Sequence, residues 1–288
     1  AEFEAYAEAV REAYAAAEAS ILERLAKRAA EGPDPAPEDT DNWLGRKLAD
    51  LRRVRAEVER ELKALEKVVQ EAGGAVELAY QVGAEQADAD ISDLEEQAGR
   101  VLRQPAEVVE QQWGATSRIR VETMVRAMLG KMAAAHLRIV RASEDAYRQV
   151  VYEAARQVAA GTMTRLQATQ AALNEFADRG IGAFVDSAGR TWDMASYAEM
   201  AIRTSVGQAG VWGHVERLVA MGFQFGIVSD SPEECELCRP WEGAVLSLTG
   251  AGVGQRVQLA GRSWTVVKAS FQQAIAAGLF HPNCTHRM

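Results

Sequence analysis

Between Glu107 and Ala160 there is no proline, and Val121, Val125, Met128, Met132, Leu137, Val140 and Tyr147 return there at helical intervals. Such a stretch reads as one long helix or a closely spaced pair, with Gly130 a tolerable defect. Breakers elsewhere divide the chain into further helices. Residues 1–31 hold almost none until Gly32-Pro33-Asp34-Pro35-Ala36-Pro37, which forms a short stiff connection. Asp41 or Asn42 then caps a helix that Gly73-Gly74 ends, and a further helical stretch runs from Val76 to Arg103, before Pro105.

Gly161 marks a turn and Thr164 caps the next helix, which Gly180-Ile181-Gly182 ends. Asp186-Ser187-Ala188-Gly189-Arg190 is turn-like, and Asp193 caps a helix through Tyr197, Met200, Ile202, Val206 and Val211 to Met221. Alanine supplies much of the apolar content before residue 220, which favours helices with thin apolar stripes. In the second helix Leu48, Leu51, Val58, Leu62, Leu65 and Val69 follow a 3-4 heptad alternation broken only by Arg55. This coiled-coil-like seam needs a partner helix, from the same chain or from another copy by self-association.

After Gly222 the texture changes. Phe223–Val228, Ala244–Leu248, Arg256–Leu259 and Ser263–Val267 alternate as strands do, with Ala260-Gly261-Arg262 a hairpin turn. Ser270 caps a last helix from Phe271 to Ala277, and Gly278 stops it. The expected fold is mainly α: a helical arm or bundle over residues 1–190, with long helices and a coiled-coil-like segment, then a small α+β unit over 191–288 stapled by a metal.

Several classes are excluded. Apolar runs fall far short of the roughly 20 residues that span a bilayer, and the acidic start Ala1-Glu2-Phe3-Glu4 is unlike a signal peptide. Three cysteines, all beyond residue 230, make no disulfide scaffold. The expectation is a soluble protein made in a reducing compartment, away from membranes. The net charge of −9 is unevenly spread, with −12 on residues 1–112, +5 on residues 113–165 and 0 on residues 223–288. The basic middle keeps nucleic acid open as a partner.

The sharpest chemical signal is Cys235-Glu-Leu-Cys238, followed by His281-Pro-Asn-Cys284-Thr-His286. A C-x2-C turn aims two thiolates at one point, and the chain end supplies a second pair, so Cys235, Cys238, His281 and Cys284 make a tetrahedral zinc set. His286 can replace His281. Four protein ligands leave no open position, so the zinc is structural, and a small β unit benefits from such a staple. Free thiols and a disulfide stay open as alternatives.

A second signal is a basic stripe. At 100° per residue Arg120, Lys131, Arg138 and Arg156 project within about 20° of each other on a continuous helix, with Arg141 and Arg148 on the flank. The stripe can meet a phosphate backbone or pair with acidic helices of the same chain. Phosphate-loop, dinucleotide, HExxH and GxSxG motifs are absent. Gly250-Ala-Gly252-Val-Gly254 reads as a hairpin loop, His136 and His214 as lone helical histidines, and Glu233, Glu234 and Glu236 as solvated acids beside the cysteines.

The order Ala201-Ile-Arg203-Thr204-Ser205, Gly222 before a strand, Ser229-Asp230 with Cys235-x-x-Cys238, Trp241-Glu-Gly243-Ala-Val-Leu and His281-Pro-Asn-Cys284-x-His286 is distinctive. Over about residues 195–288 it resembles the C-terminal module of phage minor capsid and Mu-type head morphogenesis proteins. The resemblance implies a structural protein of a tailed-phage head, inside the capsid near the portal. It also implies contacts with portal and other capsid proteins, proximity to packaged DNA, and a part in head assembly or DNA delivery. The chain would be synthesised in the host cytoplasm. Relatives often carry an acidic residue where Ser205 stands and end in Cys-x-Cys where this chain has Cys-x-His. The basic residues Arg120, Lys131, Arg138, Arg141 and Arg156 would then face DNA or portal. Two other readings are a metal-dependent nuclease using His281, Asn283 and His286, and a DNA-binding adaptor resting on the basic stripe.

Overall fold

The computed structural model describes residues 2–31, 39–99, 104–179, 184–185, 189–231, 235–258, 264–282, 284 and 286–288. The proline-rich connection, Arg103, the Gly180-Ile181-Gly182 stop, the first part of the Asp186–Arg190 turn, the Ala260-Gly261-Arg262 turn, Glu233, Glu234 and Asn283 lie outside the described residues. The helices are α1 (Glu2–Ala30), α2 (Thr40–Ala49), α3 (Leu51–Ala64), α4 (Glu66–Ala98), α5 (Ala106–Ala159), α6 (Arg165–Arg179), α7 (Met194–Ala220) and α8 (Phe271–Ala276). The strands are β1 (Phe184–Val185), β2 (Thr191–Trp192), β3 (Phe225–Ile227), β4 (Val245–Ser247), β5 (Arg256–Val257) and β6 (Thr265–Ser270). α5 is a single helix of 54 residues, which its lack of proline permits.

Contacts group the chain into two compact units, one of Ala1–Tyr6, Ala72–Met128 and Met200–Met288, the other of Ala7–Glu71 and Leu129–Glu199.

The second unit is a helical bundle. α1 buries Ala7, Val10, Tyr14, Ala17, Ile21, Leu25 and Ala29, a 3-4 alternation on one face. Opposite lie Val54, Val58 and Leu62 of α3, with Met132, Ala135, Ile139, Tyr147 and Val150 of α5. Arg28 and Arg24 of α1 reach Glu57 and Glu61 of α3, each at 2.5 Å, and Tyr14 meets His136 of α5. The last carbonyls of α1 have no partners within their own helix, so buried cations serve them. Lys47 Nζ donates to the Arg28 and Glu31 oxygens at 2.7 Å, and Arg165 donates to those of Ala29 and Ala30.

Of the two partners open to the expected oligomer seam, the same chain supplies cover. Val58, Leu62, Leu65 and Val69 are buried within the chain and Leu48 and Leu51 are half-buried, and ion pairs tie α3 to α1 and α5 beside the stripe. Asp50 and Leu65 divide the stretch into α2, α3 and α4, and Val54 is buried where the heptad reading had Arg55.

Gly73 and Gly74 do not end a helix; they lie inside α4. A Cβ on Gly74 would meet nothing within 4 Å, but Gly73 and two later glycines face close neighbours. A Cβ on Gly73 would come 3.2 Å from Val125 Cγ1, and further along α4 a Cβ on Gly83 would come 2.0 Å from the Gly210 oxygen of α7. Reciprocally, a Cβ on Gly213 would meet the Tyr80 oxygen at 1.9 Å. The glycines let α4 and α7 approach backbone to backbone, which no larger residue permits. Polar ties flank this crossing: Glu216 accepts from the Tyr80 hydroxyl and from Arg120, Arg217 reaches Asp88 and Glu110, and His214 lies 2.9 Å from Asp90.

The C-terminal sheet has strand order β3-β4-β6-β5, with β4 and β6 parallel and the other pairs antiparallel. Gly250-Ala-Gly252-Val-Gly254 is thus not a hairpin loop, since β6 lies between the strands it connects. Val228, Leu246, Ala269, Phe271, Ala274, Leu279 and Phe280 form the core of this region with Val215 of α7. Asp193 caps α7 by accepting from Ser196 N at 2.8 Å, and Thr164 accepts from Gln167 N at 3.3 Å ahead of α6. A short β1–β2 antiparallel pair, which the sequence does not announce, pairs Phe184 with Trp192 and Val185 with Thr191.

Candidate metal centre

Two chain segments meet under the sheet. The first is the C-x2-C turn, closed by Cys238 N and Arg239 N donating to the Cys235 oxygen at 3.1 and 2.9 Å. Pro240 then starts a 3-10 turn, Arg239–Trp241, that leads through Glu242 into β4. The second is the chain end. Ser270 and Gln273 form a reciprocal capping box on α8, and Gly278 (φ 106°) turns the chain back. Phe280 follows with φ 60°, the only non-glycine residue of positive φ among those described. Its buried ring packs with Phe271 and its oxygen accepts from Gln208 Nε2, which hold a conformation costing about 1–3 kcal/mol. His281 is the next residue.

Cys235 Sγ lies 2.8 Å from His281 Nε2, Cys238 Sγ 3.5 Å from Cys284 Sγ, and Cys284 Sγ 3.4 Å from His286 Nδ1. Two triads each gather their donor atoms within 4.8 Å: Cys235, Cys238 and His281, and Cys238, Cys284 and His286. Cys238 and His286 are buried, while Cys235, His281 and Cys284 are partly exposed. His286 Nε2 is 2.7 Å from Glu242 Oε1, and His281 Nδ1 is 2.7 Å from the Pro282 oxygen.

Soft thiolates and imidazoles at this density suit zinc. The electrostatics agree with that fit. Burial pushes the Cys238 thiol up to about 12, aided by Cys284 and Cys235 beside it, so the site resists several thiolates without a cation. At Cys235 burial also acts upward, but the Cys238 and Leu237 backbone N–H groups and His281 outweigh it and bring the thiol to about 7. All three cysteines are free of disulfides. The five residues that the sequence singles out are therefore brought together, and they can hold a metal.

The remaining sequence candidates are dispersed. Arg120 is not an open contact: its guanidinium pairs with Glu216 at 2.8 Å and stacks over Trp212, 4.1 Å from the ring centroid. Arg156 pairs with Glu153, and Arg148 with Asp145, on the surface. Arg138 is half-buried, and Lys131 and Arg141 are exposed. Neither helical histidine is lone. His136 Nε2 lies 2.5 Å from the Tyr14 hydroxyl, with burial lowering its pKa, and His214 pairs with Asp90. Glu236 is exposed, and the acid that enters the cluster is Glu242. Its place beside Trp241, four residues past the second cysteine, was the only sequence signal for it.

No curated protein and no solved structure matches the chain. Over its full length, residues 1–288, it matches the family of phage minor capsid protein 2, and the chain belongs to that family of structural, non-enzymatic virion proteins.

Proposed function

We propose that this chain is an internal component of a tailed-phage head that sits at the portal, assists head assembly or DNA delivery, and carries a zinc-stapled C-terminal module over residues 191–288. Membership of the minor capsid family along the whole chain carries the head role. The convergence of Cys235, Cys238, His281, Cys284 and His286 carries the staple. Bound zinc would supply a cross-link between the C-x2-C turn and the chain end, positions 46 apart at Cys238 and Cys284. That closes a segment whose own core is small, which is where a metal contributes most to folding.

Contact with packaged DNA or portal falls to the exposed Lys131 and Arg141, since Arg120 and Arg156 hold intramolecular pairs. No helix among the described residues is long and apolar enough to cross a membrane. The test is co-purification with the portal protein encoded beside it. Retention of the full chain on immobilised portal rings, at physiological salt, is the expected result. Capture only by the major capsid protein, with none by portal, contradicts the portal assignment.

A further inference from the structure

Five candidate ligands compete for the four positions of a closed zinc site, and the geometry separates the two histidines. We propose that the fourth ligand is Nδ1 of His286, beside Cys235, Cys238 and Cys284, that Glu242 is its positioning residue, and that His281 stays outside the shell as a hydrogen-bond partner of Cys235. The inference rests on the zinc reading above.

Tetrahedral zinc with bonds of about 2.3 Å to sulfur and about 2.0–2.1 Å to nitrogen separates its ligands by about 3.6 Å (S to N) and about 3.8 Å (S to S). Cys284 to His286 Nδ1 at 3.4 Å and Cys238 to Cys284 at 3.5 Å are close to those edges. The Cys235 to His281 separation of 2.8 Å is far shorter than the S to N edge. Two atoms so close do not fit as neighbouring ligands of one ion. Cys235 and His281 share their triad with Cys238, and His286 shares its own with Cys238 and Cys284, so Cys238 joins the two and Cys235 must close on Cys284 and His286 when the ion binds. Burial points the same way, because structural zinc sites are closed: His286 is 4 % exposed, while His281 is partly open to solvent.

The surroundings of His286 complete the case. Its Nε2 faces Glu242 Oε1 at 2.7 Å, so Nε2 carries the proton and the Nδ1 lone pair points to the sulfurs. Glu242 is itself held, accepting from Ser231 N at 3.3 Å. The backbone beside His286 is clamped to Ser229: Arg287 N donates to Ser229 Oγ at 2.8 Å and Ser229 N donates to the Arg287 oxygen at 2.9 Å. A carboxylate behind a ligating imidazole fixes its tautomer and raises its basicity. Among the described residues, His281 has only the neighbouring Pro282 oxygen behind its Nδ1.

The experiment uses the full chain and zinc itself, with chelator competition for affinity and long-range 1H–15N spectra for the bonded nitrogen. His281→Ala keeps one zinc with affinity within about threefold, whereas Glu242→Gln weakens binding by about 10–100-fold. His286→Ala abolishes tight binding and His286→Cys restores it. Spectra of the wild-type protein, which do not depend on any variant folding, show zinc on Nδ1 of His286. Zinc on Nε2 of His281, or loss of zinc in His281→Ala with retention in His286→Ala, overturns the assignment but leaves the staple intact. Unchanged affinity in Glu242→Gln overturns the role of Glu242. Wild-type protein that takes up no zinc removes the staple itself.

Discussion

Replacing Gly213 by alanine tests whether the α4–α7 crossing is as close as the backbone indicates. The added Cβ would stand 1.9 Å from the Tyr80 oxygen and 2.8 Å from its carbonyl carbon. Ordinary contact needs about 3.4 Å, so the helices must part by over 1 Å or the chain must tilt. Overpacking of this kind costs about 3 kcal/mol at the upper end of its usual range, offset by about 1 kcal/mol from the better helix propensity of alanine. The net expectation is a loss of about 2 kcal/mol. Gly130 supplies the control, because it lies in the interior of α5, exposed, and a methyl group added there would meet nothing within 4 Å. Gly130→Ala should gain about 0.5–1 kcal/mol from propensity alone. Urea unfolding followed by circular dichroism, with both variants beside wild type, measures the opposite signs. A Gly213→Ala protein as stable as wild type, or a Gly130→Ala protein that loses stability, would refute the reasoning.

Other perturbations probe separate parts of the structure. His136 is buried with a lowered pKa, so the unfolded chain binds its proton first; stability should be fully present above about pH 6.5 and decline as pH falls below it, and His136→Gln should flatten that slope in unfolding midpoints taken between pH 7.5 and 5.5. Arg120→Met strands Glu216, 11 % exposed, and should cost about 1–2 kcal/mol; a double-mutant cycle with Glu216→Gln that shows no coupling would remove the pair from the account. Ser270→Ala deletes the capping box of α8 and should cost about 1 kcal/mol in the same unfolding assay, with no loss marking the cap as idle.

Several helical breakers and caps were legible because they act locally, although Asp41 and Asn42 lie inside the first turn of α2, past its N-cap Asp39, and do not cap it. Pro105 precedes α5, Thr164 and Asp193 cap α6 and α7, and Ser270 caps α8, each through hydrogen bonds to residues a turn away. What depends on distant neighbours was not legible. Gly73-Gly74 looks like a helix stop until Val125 is known to face it, and Gly83 and Gly213 have meaning only through each other's helix. The alternation from Leu48 to Val69 announced a buried stripe correctly, but periodicity carries no sign of whether the cover is another molecule or α1 of the same chain.

The candidate site divides along the same line. The spacing of Cys235, Cys238, Cys284 and the two histidines was visible because ligand chemistry restricts residue type. Glu242 was not, since an acid acquires its role here only when the chain end returns beside it. Within the basic stripe, helical phase aligned Arg120 with Lys131 and Arg138, while Glu216 and Trp212, far along the chain, decide what Arg120 does. The motif-based resemblance reached only residues 195–288, whereas the family extends over all 288 residues, so the helices belong to the same head protein as the cysteines.

The most direct test of the account is the metal content of the purified full chain, measured by elemental analysis beside Cys238→Ser. Cys238 is fully buried and belongs to both donor triads, so its loss disables any arrangement of the site. The account predicts one zinc per chain in the wild type and none in the variant, with the C-terminal region losing its cooperative unfolding in step. A wild-type protein that folds with the same stability and contains no metal would contradict it.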